Sequence, residues 1–229
     1  MCHRIMAMRM SELTRAMERR GTTGRATVEL GDEAPEAYPG SSVPLLVPGS
    51  FSASVPTSGI AASGIAAPIP AAAAANAMTN VLVPTQLTWG FESFDKKLVF
   101  NTRLDTAIRQ LREGRGMWAD ALVAGRCLVP VRGFYETSRS HRRTDPATGK
   151  SVFQQYRFQM PWHRVFLLAG IQRDGRFSIM TTEPNVTVGA VHTRMPLVLG
   201  PGESSVWLGS DFMSLADRSA IDLTVDPAD

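Results

Sequence analysis

Arg126-Cys127-Leu128-Val129-Pro130-Val131-Arg132-Gly133-Phe134-Tyr135-Glu136 is the stretch whose reading decides the fold. An apolar run rich in valine and aromatic residues, closed by a charged residue, predicts a strand. Downstream, residues 153–159, 165–171 and 177–182 read as three further short strands, with turn signals at Pro161 and at Asp174-Gly175. Upstream, residues 87–91 and 98–101 look like strand ends, and 43–47 is a candidate strand in a segment broken by proline and glycine. Helical patterns are interspersed. Residues 11–20 carry Leu13 and Met17 four apart, with Ser11 as the expected cap. Residues 103–112 form a second pattern, which 118–124 is expected to continue, and 185–191 and 214–221 read as short helices. Strands and helices in irregular order predict an α+β fold rather than a βαβ array.

The bulk composition is that of an ordinary globular protein: 229 residues, 44% hydrophobic and 20% charged. Two cysteines cannot build a disulfide framework, and four scattered histidines show no zinc spacing, so no metal or cofactor is expected. The cysteine usage points to a reducing compartment, the cytoplasm. No stretch reads as a membrane span, and the start of the chain lacks the apolar core of a signal peptide. A net charge of +3 permits phosphate binding without demanding it. The arginines between Arg103 and Arg143 fit either a solvated face or a nucleic-acid footprint. Residues 52–78 form an uncharged Ala/Ser/Gly/Pro stretch with five consecutive alanines, Ala71 to Ala75. It reads as an insertion within a single domain spanning 1–229, because candidate chemistry lies on both sides of it.

Cys2 directly follows Met1. Its small side chain should allow removal of Met1, and only that residue precedes it. The exposed residue would carry an α-amine and a thiol on adjacent carbons. The amine titrates near pH ~8, so part of it is neutral at physiological pH and able to form a Schiff base with an aldehyde. The thiol can then close on the imine as a five-membered ring. Read alone, Cys2 is more simply an accident of a frayed terminus.

Five segments change the weight of that residue: Cys2-His3-Arg4, Thr88-Trp89-Gly90-Phe91, Asn101-Thr102-Arg103-Leu104-Asp105-Thr106, the run from Arg126 to Glu136, and His192-Thr193-Arg194-Met195-Pro196. In this order, starting at position 2, they resemble the SRAP family, the SOS-response-associated "peptidase" domains that protect abasic sites in DNA. The chain departs from the family pattern at His3, Thr102, Asp105 and Thr137, where the family carries glycine, alanine, glutamate and tryptophan, and near residues 38–44, which lack the usual asparagine.

The resemblance implies a mixed, largely antiparallel β-sheet with a barrel-like core and peripheral helices. It implies a monomer that crosslinks to abasic sites in single-stranded DNA through a thiazolidine on Cys2. Glu136 would move protons during sugar opening and imine formation, the alternative being a salt-bridged surface acid. His192 would serve as a second acid/base, and Asn101 would orient the nucleophile or the sugar, the alternative being a strand-end cap. Arg4, Arg103 and Arg194 would hold flanking phosphates, unless they are structural ion pairs. Trp89 would stack on a base, unless it is core, and Thr181 and Thr182 would donate to phosphate, unless they simply end a strand. Cys127 reads as a buried structural thiol, and His141 and His163 are assigned no role. The same pocket could act as an abasic-site lyase. Two other functions stay open. One is a cysteine (auto)peptidase, the other a non-catalytic single-stranded DNA-binding protein in which His3 spoils the pocket.

Overall fold

The computed structural model describes residues 2–19, 31, 33–49 and 81–228. The insertion at 52–78 lies outside the described residues. In chain order the strands are β1 (Arg4–Ala7), β2 (Glu36–Ala37), β3 (Ser42–Pro48), β4 (Leu82–Trp89), β5 (Phe91–Glu92), β6 (Leu98–Val99), β7 (Asn101–Arg103), β8 (Arg126–Thr144), β9 (Ser151–Gln159), β10 (Phe166–Arg173), β11 (Arg176–Thr182), β12 (Met195–Pro196), β13 (Val198–Leu199) and β14 (Thr224–Ala228). The helices are α1 (Met10–Arg19), α2 (Leu104–Arg112), α3 (Ala119–Ala124), α4 (Val186–Gly189) and α5 (Glu203–Leu208). The fold is α+β.

β8 is the spine. It is buried from Cys127 to Glu136 because it has strands along both edges: β10 pairs with residues 126–131 on one side, while β1 and β3 pair with it on the other. A strand covered on both faces needs side chains that are apolar throughout, as this run supplies. Two buried charged residues interrupt it: Glu136, at its end, and Arg132, which is satisfied internally by Glu12 at 2.8 Å and by the Gly31 carbonyl at 2.5 Å. Pairings β8–β3, β3–β4, β4–β11, β11–β10 and β10–β8 join five strands into a ring. All are antiparallel except β4–β11, and β7 also lies parallel to β11.

The period of two sorts the side chains into two cores. Val43, Leu45, Cys127, Val129, Leu168 and Ile179 join one cluster with Trp89, Phe134, Phe158 and Phe177. Their neighbours in sequence, Leu46, Leu128, Ala169 and Met180, join the other, which packs against helices through Leu13, Leu104, Leu122 and Trp207. Trp89 anchors the first cluster. It is fully buried, stacks on Phe177 at 6.2 Å, and donates Nε1–H to the Phe100 carbonyl at 2.8 Å. Trp89→Ala is expected to cost about 3–5 kcal/mol, read by denaturant unfolding. A loss below about 1 kcal/mol would contradict this packing.

Several sequence expectations are corrected. α1 starts at Met10, and Glu12 reaches back to the Arg9 main-chain N–H at 3.0 Å, so Ser11 is not the cap. Residues 118–124 do not continue α2; Gly114 and Gly116, at φ +63° and +109°, break the chain between α2 and α3. Residues 214–221 are not an α-helix. A 3-10 turn over Phe212–Ala216 stops there, and the Asp217 side chain accepts the Ser219 N–H at 2.8 Å, a local bond that competes with helix continuation. β8 runs eight residues past Glu136, to Thr144.

Candidate active site at the chain start

β1 lies antiparallel to β8 with Arg4 opposite Tyr135 and Ile5 opposite Phe134. That register carries the start of the chain to Glu136. The Cys2 main-chain N–H acts on the Glu136 carboxylate and favours its charged form, and this nitrogen is the one that becomes an α-amine when Met1 is removed. The Cys2 carbonyl accepts a 2.7 Å hydrogen bond from Asn101 Nδ2, across 99 residues of sequence. Asn101 is held in place by β7, where it sits opposite Ile179 of β11. Asn101→Leu would leave the Cys2 carbonyl buried without its donor. The expected cost is about 1–3 kcal/mol in unfolding free energy, and an unchanged denaturation midpoint would contradict the assignment.

His192 follows α4, whose start is fixed by the Asn185 side chain accepting the Val188 N–H at 2.8 Å. Its Nδ1 stands 3.9 Å from Glu136 Oε2 and contacts both the N–H and the carbonyl of Arg194, at 3.1 and 3.0 Å. Burial decides the electrostatics. It raises the Glu136 pKa from the ordinary 4.5 to about 7, against the opposing effects of the N-terminal ammonium and, less, of the Cys2 N–H. It lowers that of His192. It raises that of the Cys2 thiol, helped by the Glu136 charge, so the sulfur is held as S–H. The site therefore holds a carboxyl that titrates near 7 and an imidazole biased toward its neutral form, beside a nitrogen and an unionised thiol. Among the described residues, no group of three or more His, Cys, Asp or Glu side chains is placed to hold a metal ion.

The structure brings Cys2, Asn101, Glu136 and His192 together; the six expected DNA contacts are placed differently. Trp89 is core and presents no face to a base. Thr181 and Thr182 are buried, bonded to the carbonyls of Thr102 and Ala216 at 3.4 and 2.6 Å, so the expectation that they donate to phosphate is corrected. Arg194 is likewise an internal strut, bound to Glu183 at 2.6 Å, Asp105 at 3.2 Å and the Thr181 carbonyl at 2.9 Å. Asp105 also receives Arg103 at 2.8 Å, so this one carboxylate ties the Asn101–Thr106 segment to the His192–Pro196 segment. Arg103 is half exposed and remains at the surface. Arg4 lies over the Tyr135 ring, 4.0 Å from its centre, and pairs with Glu36. The His3 ring, where the family has glycine, lies 3.5 Å from the Gln155 side chain. Sequence reading placed Arg139 only among the arginines of the 103–143 stretch and did not single it out; its Nη1 donates to Thr193 Oγ1 at 3.4 Å beside His192, and its position three residues after Glu136 was the available signal.

A separate apolar hollow of about 420 Å³ lies between α1 and the ring, lined by Met8, Leu13, Met17, Leu46 and Phe166. None of the four clustered residues lines it.

Fold and site together define a ring-sheet α+β domain with its second residue buried beside a carboxylate that an imidazole approaches to 3.9 Å. The sequence profile of the SOS response associated peptidase (SRAP) family matches residues 1–227, and the chain belongs to that family. Two solved structures are similar in fold. One is a phage-related protein from Bordetella bronchiseptica, 19% identical with a TM-score of 0.59, covering 99% of this chain and 94% of that one. The other, also from Bordetella bronchiseptica, is 15% identical with a TM-score of 0.60 and covers 100% of both chains. No curated protein matches the chain. Among the described residues, no helix is long and apolar enough to cross a membrane.

Proposed function

We propose that this protein captures abasic sites in single-stranded DNA as a covalent thiazolidine on Cys2, once Met1 has been removed. The observation that carries this reading is the Cys2 nitrogen against the Glu136 carboxylate, with His192 3.9 Å beyond. Glu136, titrating near 7, takes a proton from the Cys2 ammonium and frees the amine. His192, neutral because burial lowers its pKa, is the partner for the sugar oxygen as the cyclic deoxyribose opens to its aldehyde. The amine adds to the aldehyde carbon and one water leaves, giving an imine. The thiol S–H then adds across the C=N bond, sulfur to carbon and hydrogen to nitrogen, and closes the ring. The overall change is loss of one water, with no oxidant or cofactor.

Thiol burial supports the amine, rather than a thiolate, as the first nucleophile. A cysteine peptidase would need the reverse, an accessible sulfur with a depressed pKa. The protein is proposed to act as a cytoplasmic monomer, with Arg103 and further basic groups holding flanking phosphates.

The test is denaturing electrophoresis after mixing Met1-free protein with a single-stranded oligonucleotide carrying one abasic site. A heat-stable shifted band, missing from the intact-base control, is expected. No band from protein with a free Cys2 amine would overturn the reading.

A further inference from the structure

Beyond Glu136, β8 leaves the sheet and forms a two-stranded ribbon with β9. Thr137 pairs with Gln155, and pairing resumes with Arg142 opposite Phe153. That is five steps along β8 (137 to 142) against two along β9 (155 to 153), so β8 bulges by three residues. Ser138 closes the bulge by accepting the N–H groups of Ser140 and His141 at 3.2 and 2.9 Å. Bulges beside sites re-aim side chains, and this one turns Arg139 onto Thr193, next to His192.

Residues 137–155 contain four basic side chains, Arg139, Arg142, Arg143 and Lys150, and one acid, Asp145. Asp145 accepts the Ala147 and Thr148 N–H groups at 2.8 and 3.3 Å. Arg4, Arg103, Arg157, Arg173 and Arg176 each pair with a carboxylate. The four ribbon cations form no such ion pair among the described residues, and all but the half-buried Arg143 are exposed. Arg142 is pre-positioned: Nε donates to Ser151 Oγ at 2.8 Å, and its guanidinium covers the Phe153 ring at 4.4 Å. The ribbon is thus a net-positive track, with Asp145 near Arg143 as its one acid, and its base abuts the catalytic pair.

We infer that the β8–β9 ribbon binds the sugar–phosphate backbone of the DNA strand flanking the lesion, with Arg139 at the mouth of the site and Arg142, Arg143 and Lys150 along the track. This rests on the proposed DNA substrate but not on the covalent step. Neutralising phosphates releases counterions, so each contact steepens the salt dependence of binding.

The test compares the full chain with the triple variant Arg142→Gln, Arg143→Gln, Lys150→Gln. Binding is measured from 50 to 200 mM salt on a single-stranded oligonucleotide with an unreactive tetrahydrofuran at the abasic position. The variant should bind at least tenfold more weakly at 50 mM salt, with a log–log salt slope shallower by about two (three charges at ~0.7 each). Arg142→Lys with Arg143→Lys should restore the slope, which separates charge from loss of packing on Phe153. The deficit should shrink when the oligonucleotide is cut to the lesion and one nucleotide on each side. Equal affinity and equal slope in the triple variant would overturn the inference, even if the wild type crosslinks normally. A shallower slope without any adduct on a true abasic site would uphold the ribbon and overturn the covalent reading.

Discussion

Cys2→Ala, freed of Met1, is expected to give no heat-stable adduct with abasic single-stranded DNA. The variant still carries an α-amine at the nitrogen that acts on Glu136. It should therefore form an imine that borohydride traps and that hydrolyses on heating without it. Wild type should need no reductant, because sulfur addition removes the C=N bond that water attacks. The two halves of Cys2 are thus separated in one gel: amine without thiol gives a trappable adduct, amine with thiol a permanent one. A heat-stable band from Cys2→Ala without reductant would place the bond elsewhere. Failure of wild type and variant alike to be trapped would remove the amine from the mechanism.

Glu136→Gln is expected to slow adduct formation by about a hundred- to a thousandfold, the range for losing one positioned proton carrier. It should also remove the rise in rate as pH climbs through about 7, since only the ionised carboxylate accepts a proton from the ammonium. Stability gives an independent readout with a definite sign. The folded pKa is about 7 and the ordinary value 4.5. Between them the folded protein keeps a proton that the unfolded chain has released, so stability is full below pH 4.5 and falls as pH rises toward 7. A shift of this size corresponds to an upper limit on the order of 3 kcal/mol. Wild type should therefore lose stability between pH 5 and 8, and Glu136→Gln should lose less. Parallel curves for the two proteins would show that Glu136 is not the buried acid described here.

Much of this site was legible because its chemistry rests on residue types at fixed places. Cys2 at the chain start, Glu136 at the end of an apolar run and His192 before Arg-Met-Pro are readable without coordinates. Their meeting was not. It depends on the β1–β8 register and on Asn101 reaching the Cys2 carbonyl, and long-range strand pairing leaves no local trace. The arginines and threonines were harder still. Arg194 and Arg103 look alike in sequence, yet one is clamped between Glu183 and Asp105 and the other stands at the surface. Trp89 and the pair Thr181 and Thr182 end strands, where burial is set by what packs over them. The ring was implied only by the resemblance; its closure through β10 and β8 joins segments that are 30 or more residues apart. The break between α2 and α3 was written in Gly114 and Gly116, which the helical pattern on either side masked.

Mass spectrometry of the crosslinked N-terminal peptide tests the central claim most directly. After nuclease and protease digestion of the unreduced adduct, the account predicts that the remnant sits on Cys2. The mass should equal peptide plus open-chain sugar fragment minus one water, and the thiol should no longer react with iodoacetamide. A remnant on a lysine, or a Cys2 thiol that still alkylates, would contradict it.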